Sequence, residues 1–253
     1  MPEEGEPIVK ALNMSPLEDE FDPYLPVDWF VSIQPGVKIY LAETRKSQKI
    51  DVAQVGPETA SFVAWECMQA IDPDLVINVG VAGALGGSGA RVGDIYQCQQ
   101  AFYHHRIFTT AAYNRYGAGG FDCVTVDGDD TLKTAIISTS SSFVMTERDK
   151  TVMGEQGAIL KDMEAAAVAS VCYVREKDIF ILKGVSDILE EDESSSDEIR
   201  KNLHAVMEQV AKKLEFLIHK FFLPKVEKRE KHRKILIPKI FKKHDRSKKS
   251  ADR

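Results

Sequence analysis

The sequence predicts an α/β fold: a single domain with a mixed central sheet flanked by helices. Three observations carry this. At 253 residues, with 43% apolar and 28% charged side chains, the chain has the length and composition of a globular protein with a sizeable core. Apolar runs such as Leu75–Val81 and Ile179–Lys183 are short and read as strands buried on both faces. They alternate with stretches whose apolar residues recur every three or four positions, the order expected of strands interleaved with helices.

Taken in order, Trp29–Ile33 and Val37–Leu41 predict a hairpin turning at Pro35-Gly36, and Ile50–Val55 a short strand ending at Gly56-Pro57. Thr59–Ile71 predicts a helix with Phe62, Val63, Cys67 and Ile71 on one stripe. Leu75–Val81 runs into a glycine-rich loop over Ala82–Gly87, and Asp94–Phe102, Thr134–Thr139 and Ala158–Lys161 predict further strands. Alanine-rich Met163–Val174 reads as a tightly packed helix, and Ile179–Lys183 as a strand ending at Gly184-Val185-Ser186-Asp187. Acidic, serine-rich Leu189–Ser196 is expected to be an exposed loop. Ser195 with Glu198 matches a capping box for a long helix carrying Ile199, Leu203, Val206, Val210, Leu214, Leu217 and Phe221. Pro224 closes the predicted domain, 1–224.

The net charge of −6 conceals an asymmetry. Residues 225–253 hold 13 Lys/Arg against 4 Asp/Glu, so this tail carries +9 and residues 1–224 carry −15. An acidic body excludes a basic-faced nucleic-acid domain. The tail is expected to be a solvated, disordered extension; contact with RNA, anionic lipid or another anionic partner, or a nuclear address, also fits it. No apolar run reaches the ~20 residues of a membrane span. The first residues, Met1-Pro2-Glu3-Glu4, have the wrong charge for a targeting segment, so a cytoplasmic location is expected. The four cysteines, Cys67, Cys98, Cys123 and Cys172, are widely spaced without a finger pattern and read as reduced thiols rather than metal ligands. His104-His105, adjacent in sequence, fits a loop or rim position better than a metal pair. Trp65 and its helix fit either the core or a subunit contact.

Ligands of open α/β sheets sit beyond the carboxyl ends of strands, and three such ends are informative. Asn78-Val79-Gly80-Val81-Ala82-Gly83 lets the backbone approach a ligand, its N–H groups holding an anion, sugar or water, although a plain tight turn fits as well. Lys161-Asp162-Met163-Glu164 puts carboxylates where they can accept bonds from two sugar hydroxyls, beside the pliable surface of Met163; complementing the helix dipole is the equal alternative. In Lys183-Gly184-Val185-Ser186-Asp187, a carboxyl at the end of a buried strand is favoured in its protonated form, as a general acid requires. Ser186 is able to orient it, and a turn-starting Asp is the other reading.

Together the four segments Asn78–Leu85, Val92–Ile95, Lys161–Val168 and Leu182–Asp187 resemble the nucleoside phosphorylase/nucleosidase family. They are most similar to its methylthioadenosine/S-adenosylhomocysteine nucleosidases of the plant-like branch. The resemblance spans roughly residues 1–222. It implies a nucleoside phosphorylase-like fold and hydrolysis of the N-glycosidic bond of 5′-methylthioadenosine or S-adenosylhomocysteine, in methionine salvage, by a homodimer needing no cofactor or metal.

The roles it implies are these. Asp187 protonates adenine N7, and Glu4, from Met1-Pro2-Glu3-Glu4, activates the attacking water. Glu164 holds the ribose hydroxyls and Met163 packs on the sugar. Phe143 stacks on the base and the Val144 backbone bonds its edge. Val81, Ala82 and Gly83 line the site with Asp162, Ser186 and Lys183, the last standing where bacterial members carry arginine. Three departures accompany the resemblance. The family begins with a strand that leads into M-x-x-E, and here the sequence starts at that methionine, so either the strand is missing or the recorded start is too late. Val81 replaces a small hydroxyl residue, and Ser140-Ser141 stands where relatives often show Gly-Asp. Two rival readings remain: a phosphorylase, for which Arg91 and Arg106 are the available phosphate ligands, and a non-catalytic relative retaining the fold.

Overall fold

The computed structural model describes residues 2–17, 25–34, 36–47, 49, 52, 54–106, 108, 110–189 and 196–223. The basic tail, Pro35, Ser195 and most of the expected Ile50–Val55 strand lie outside them; Gln54 and Val55 are irregular.

The chain opens with helix α1 (Pro2–Ala11), a short strand β1 (Ser15–Pro16), and the hairpin β2 (Val27–Gln34) and β3 (Val37–Thr44). These three strands form a separate antiparallel sheet. Helix α2 (Pro57–Ile71) leads to β4 (Leu75–Leu85) and β5 (Ile95–Tyr103), then α3 (Ala111–Ala118), β6 (Gly119–Asp122) and β7 (Lys133–Thr139). The chain continues as α4 (Glu147–Glu155), β8 (Leu160–Asp162), α5 (Ala165–Val174), β9 (Asp178–Leu189) and α6 (Ser196–Leu217), whose end loosens into a π-turn over Ile218–Phe222. The larger sheet is mixed, in the order β6-β5-β7-β8-β4-β9, and a further β5–β9 pairing closes five of its strands into a ring.

Two cores flank this ring. On one side α5 presents Ala165, Ala166, Ala167 and Ala169, all buried, whose lack of bulk lets the helix lie close to the strands. On the other, α6 packs Leu203, Val206, Val210, Leu214 and Leu217 against Phe180 and Leu182, with Ile8 of α1 and Leu12 just after it alongside.

Several expectations are corrected. The glycine-rich loop over Ala82–Gly87 is mostly strand, because Ala82, Gly83 and Ala84 pair with Val185, Asp187 and Ile188. For the same reason β9 does not end at Gly184, and Asp187 stands within a strand rather than at a turn. Helix α5 starts at Ala165 instead of Met163 because the Asp162 carboxylate, one residue past the expected strand end, accepts the Ala165 N–H. His104 is not on a rim. It is 2% exposed, with Nδ1 2.5 Å from Ser138 Oγ, and burial drives its pKa down to about 4. Phe62, expected on the buried stripe, is 45% exposed.

Among the described residues, β4 pairs over Leu75–Ala82 with β9 alone, and β8 reaches only Gly83 and Ala84. Side chains of β3 and β4 face a common cavity there.

Candidate active site

The cavity encloses about 220 Å³, room for a small molecule and not for a polymer. It lies along the middle of β4, from Asn78 to Gly83, beside the carboxyl ends of β8 and β9, with the first turn of α1 entering from the side. The sequence-predicted residues Glu4, Val81, Ala82, Gly83, Phe143, Asp162, Met163, Glu164, Lys183, Ser186 and Asp187 all border it. Val144 does not border it: its N–H donates to Ser142 Oγ at 3.1 Å and its carbonyl accepts from Lys161.

A bulge aims the candidate acid. The β4–β9 register slips between Ala82 and Gly83, so Ser186 and Asp187 together oppose Gly83, a device that redirects side chains next to a site. Asp187 is 2% exposed, and Ser186 Oγ donates to its Oδ1 at 2.6 Å. A side chain at 83 would not fit: its Cβ would meet Leu189 Cδ2 at 2.8 Å and Asp187 Oδ2 at 3.1 Å. Asn202 of α6 donates to the Ser186 carbonyl at 2.9 Å and fixes the bulge from behind.

Glu164 accepts the Gly56 N–H at 2.9 Å, which ties it to the start of α2. Burial, reinforced by Asp162, raises its pKa to about 7, while Lys183 and the Gly56 N–H oppose the shift. Lys183 is fully buried; burial disfavours its charge, yet Asp162 and Glu164 overcome this and hold its pKa above the usual lysine value. Glu4 Oε1 accepts the Val81 N–H at 3.1 Å, so the strand backbone fixes this carboxylate and no side-chain donor at 81 is needed. Gly80 leaves room for it, since a Cβ there would lie 2.8 Å from Glu4 Oε1.

Among the cavity's ionisable residues, Lys161 and Glu43 have no role assigned by sequence reasoning. Lys161 stands in the Lys161-Asp162-Met163-Glu164 motif, where a function is expected only of the residues after it. Glu43, on β3, borders the cavity against Gly5 of α1, and burial raises its pKa to about 7. No periodicity marked Glu43, because only the tertiary fold brings β3 to α1.

Arg91 and Arg106 do not border the cavity; Arg106 stacks 3.6 Å from the Tyr103 ring centroid. Among the described residues no three His, Cys, Asp or Glu side chains gather as a metal-binding group, and no helix is long and apolar enough to cross a membrane.

This architecture has close counterparts. A 5′-methylthioadenosine/S-adenosylhomocysteine nucleosidase of Arabidopsis thaliana is 30% identical over 86% of this chain and 89% of its own. A 5′-methylthioadenosine nucleosidase of the same organism is 28% identical over 81% of this chain and 79% of its own. The solved apo structure of Arabidopsis thaliana 5′-methylthioadenosine nucleosidase superposes with a TM-score of 0.82 at 26% identity, covering 87% of this chain and 91% of that one. Residues 28–221 match the Phosphorylase superfamily, and the chain belongs to that family.

Proposed function

We propose that this protein hydrolyses the N-glycosidic bond of 5′-methylthioadenosine or a related 5′-substituted adenosine such as S-adenosylhomocysteine, releasing adenine and the thioribose. One observation carries the reading: carboxyls from α1, the β8–α5 junction and β9, far apart in sequence, border one small cavity.

Their chemistry then divides by environment. Asp187, buried and oriented by Ser186, donates its proton to adenine N7, so the base departs neutral with the C1′–N9 electron pair. Glu164 accepts the ribose hydroxyls, with Met163 against the sugar, and its charge favours the positive character that C1′ acquires. Glu4, held by the Val81 N–H, takes a proton from water as the water oxygen bonds C1′. Phe143 faces the base, and the Val144 N–H reaches the base edge by exchanging its bond to Ser142 Oγ. The cavity's lysines support hydrolysis over phosphorolysis. Lys183 is paired with Asp162, Lys161 is bonded to backbone carbonyls, and among the described residues no guanidinium joins them.

The reading extends to assembly and place. Phe62 and Trp65 on α2 and Tyr173 on α5 are large and exposed, which supports a homodimer through that face. Four free thiols support a reducing, cytoplasmic location. The +9 charge of residues 225–253 supports contact with an anionic partner.

The decisive assay incubates the protein with 5′-methylthioadenosine with and without phosphate. Equal adenine release in both, with free thioribose as co-product, is expected. Release only with phosphate, yielding a sugar phosphate, overturns the hydrolytic reading.

A further inference from the structure

Lys161 is a buried cation that the reaction as written above does not use. It precedes Asp162 in β8, is 5% exposed, and borders the cavity. Its Nζ donates to the Val144 carbonyl at 2.8 Å and to the Phe143 carbonyl at 3.3 Å. Phe143 and Val144 are themselves 58% and 65% exposed, and the ammonium anchors their backbone. Three titratable groups face Lys161: Asp187 from β9, Asp149 from α4, and His104 at the end of β5. Burial lowers its pKa, while Asp149 and Asp187 work to keep it charged. A desolvated charge is costly in a fold that needs only a filler there, which points to a role in the chemistry.

We propose that Lys161 is a positioning residue for base departure: it clamps the 143–144 backbone over the cavity and sets an ammonium beside the carboxylate that Asp187 becomes. This rests on the reading of Asp187 as the acid and of Phe143–Val144 as the base-facing segment. As Asp187 passes its proton to N7, the C1′–N9 pair moves onto the base, and water bonds C1′ with its proton going to Glu4. Lys161 gains and loses no proton. Its attraction to Asp187 grows only as the carboxylate forms, so it lowers the barrier more than it tightens substrate binding.

Two variants separate clamp from charge. Lys161→Gln retains donors for both carbonyls but is neutral; Lys161→Met loses both. With 5′-methylthioadenosine, Lys161→Gln is expected to lower kcat about 10- to 100-fold with KM changed less than about 3-fold. The basic limb of its kcat/KM profile should move to higher pH, since the Asp187 carboxylate forms less readily without the ammonium. Lys161→Met should in addition weaken adenine binding in calorimetry, and Lys161→Arg should recover part of kcat. A folded Lys161→Gln with unmoved limb and near-native kcat overturns the charge role. Unchanged adenine affinity in a folded Lys161→Met overturns the clamp, and if Lys161→Met does not fold, failure of Lys161→Arg to recover any kcat overturns the proposal. Should the native protein release no adenine at all, the hydrolase reading fails separately, and the adenine-binding comparison still decides the clamp.

Discussion

Lys183 Nζ lies 2.9 Å from Asp162 Oδ2, and the two side chains are 4% and 2% exposed. The same carboxylate accepts Thr139 Oγ1 at 2.6 Å and the Ala165 N–H at 2.9 Å. Asp162 thus ties β7, β8, α5 and β9 together, and its oxygens are committed to the scaffold rather than to a sugar. A buried pair is costly to break from one side, because the surviving charge stays desolvated. Lys183→Met leaves Asp162 and Glu164 uncompensated and is expected to lower stability by about 3–5 kcal/mol. Denaturant unfolding measures this; a loss under about 1 kcal/mol would show that the pair is not a keystone of the fold.

Asp187→Asn removes the transferable proton while keeping the shape and the acceptor for Ser186. The expected outcome is a loss of about 10²- to 10⁴-fold in adenine release, with binding of an unreactive substrate analogue little changed. Full turnover by this variant would remove Asp187 from the mechanism.

Much of this site was legible before any coordinates, for a physical reason. Carboxylates just beyond apolar runs are poor core residues, so Glu164, soon after Ala158–Lys161, and Asp187, soon after Ile179–Lys183, stood out against their surroundings. The bulge at Ser186 was not legible, because Gly184-Val185-Ser186-Asp187 reads as a turn until β4 supplies the pairing that continues it. Helix α1 was missed too. Pro7 lies inside it and its glutamates resemble a solvated terminus, and only packing of Ile8 and Leu12 against α6 makes the helix worthwhile.

Glu164 has a cost that pH should reveal. Its folded pKa of about 7 exceeds the ordinary 4.5, so the folded chain binds this proton more tightly than the unfolded chain. The stabilising contribution is therefore complete below about 4.5 and is lost as pH rises toward about 7. Glu43, raised to about 7 chiefly by burial, acts with the same sign. Glu164→Gln should flatten the decline in stability between pH 5 and 7 and be the more stable protein at pH 7, by on the order of 1–3 kcal/mol, while losing catalysis. Urea titrations across that window test it; an unchanged slope would mean that Glu164 ionises as freely as in the unfolded chain.

Two glycines should fail in opposite ways. At Gly80 an added Cβ meets Glu4 Oε1 at 2.8 Å and Lys183 Nζ at 3.6 Å, both the far ends of flexible side chains. Gly80→Ala can therefore be accommodated by moving Glu4 off the Val81 N–H, which spares the fold but misplaces the water's base. The expectation is a melting temperature within about 3 °C of native, a shift worth about 1 kcal/mol at most, and a kcat reduced about 10²-fold. At Gly184 the added Cβ would lie 2.6 Å from Val210 Cγ2 and closer still to Val206 Cγ1, short branched side chains on a helix locked into its core. Gly184→Ala must push α6 away from β9, an overpacking expected to cost about 1–3 kcal/mol. Because α6 also holds Ser186 through Asn202, activity should fall only in step with the unfolded fraction or with displacement of that bond. Melting curves and initial rates on both variants separate the outcomes: if Gly80→Ala loses stability and retains kcat, Glu4 is scaffolding and the water is activated elsewhere.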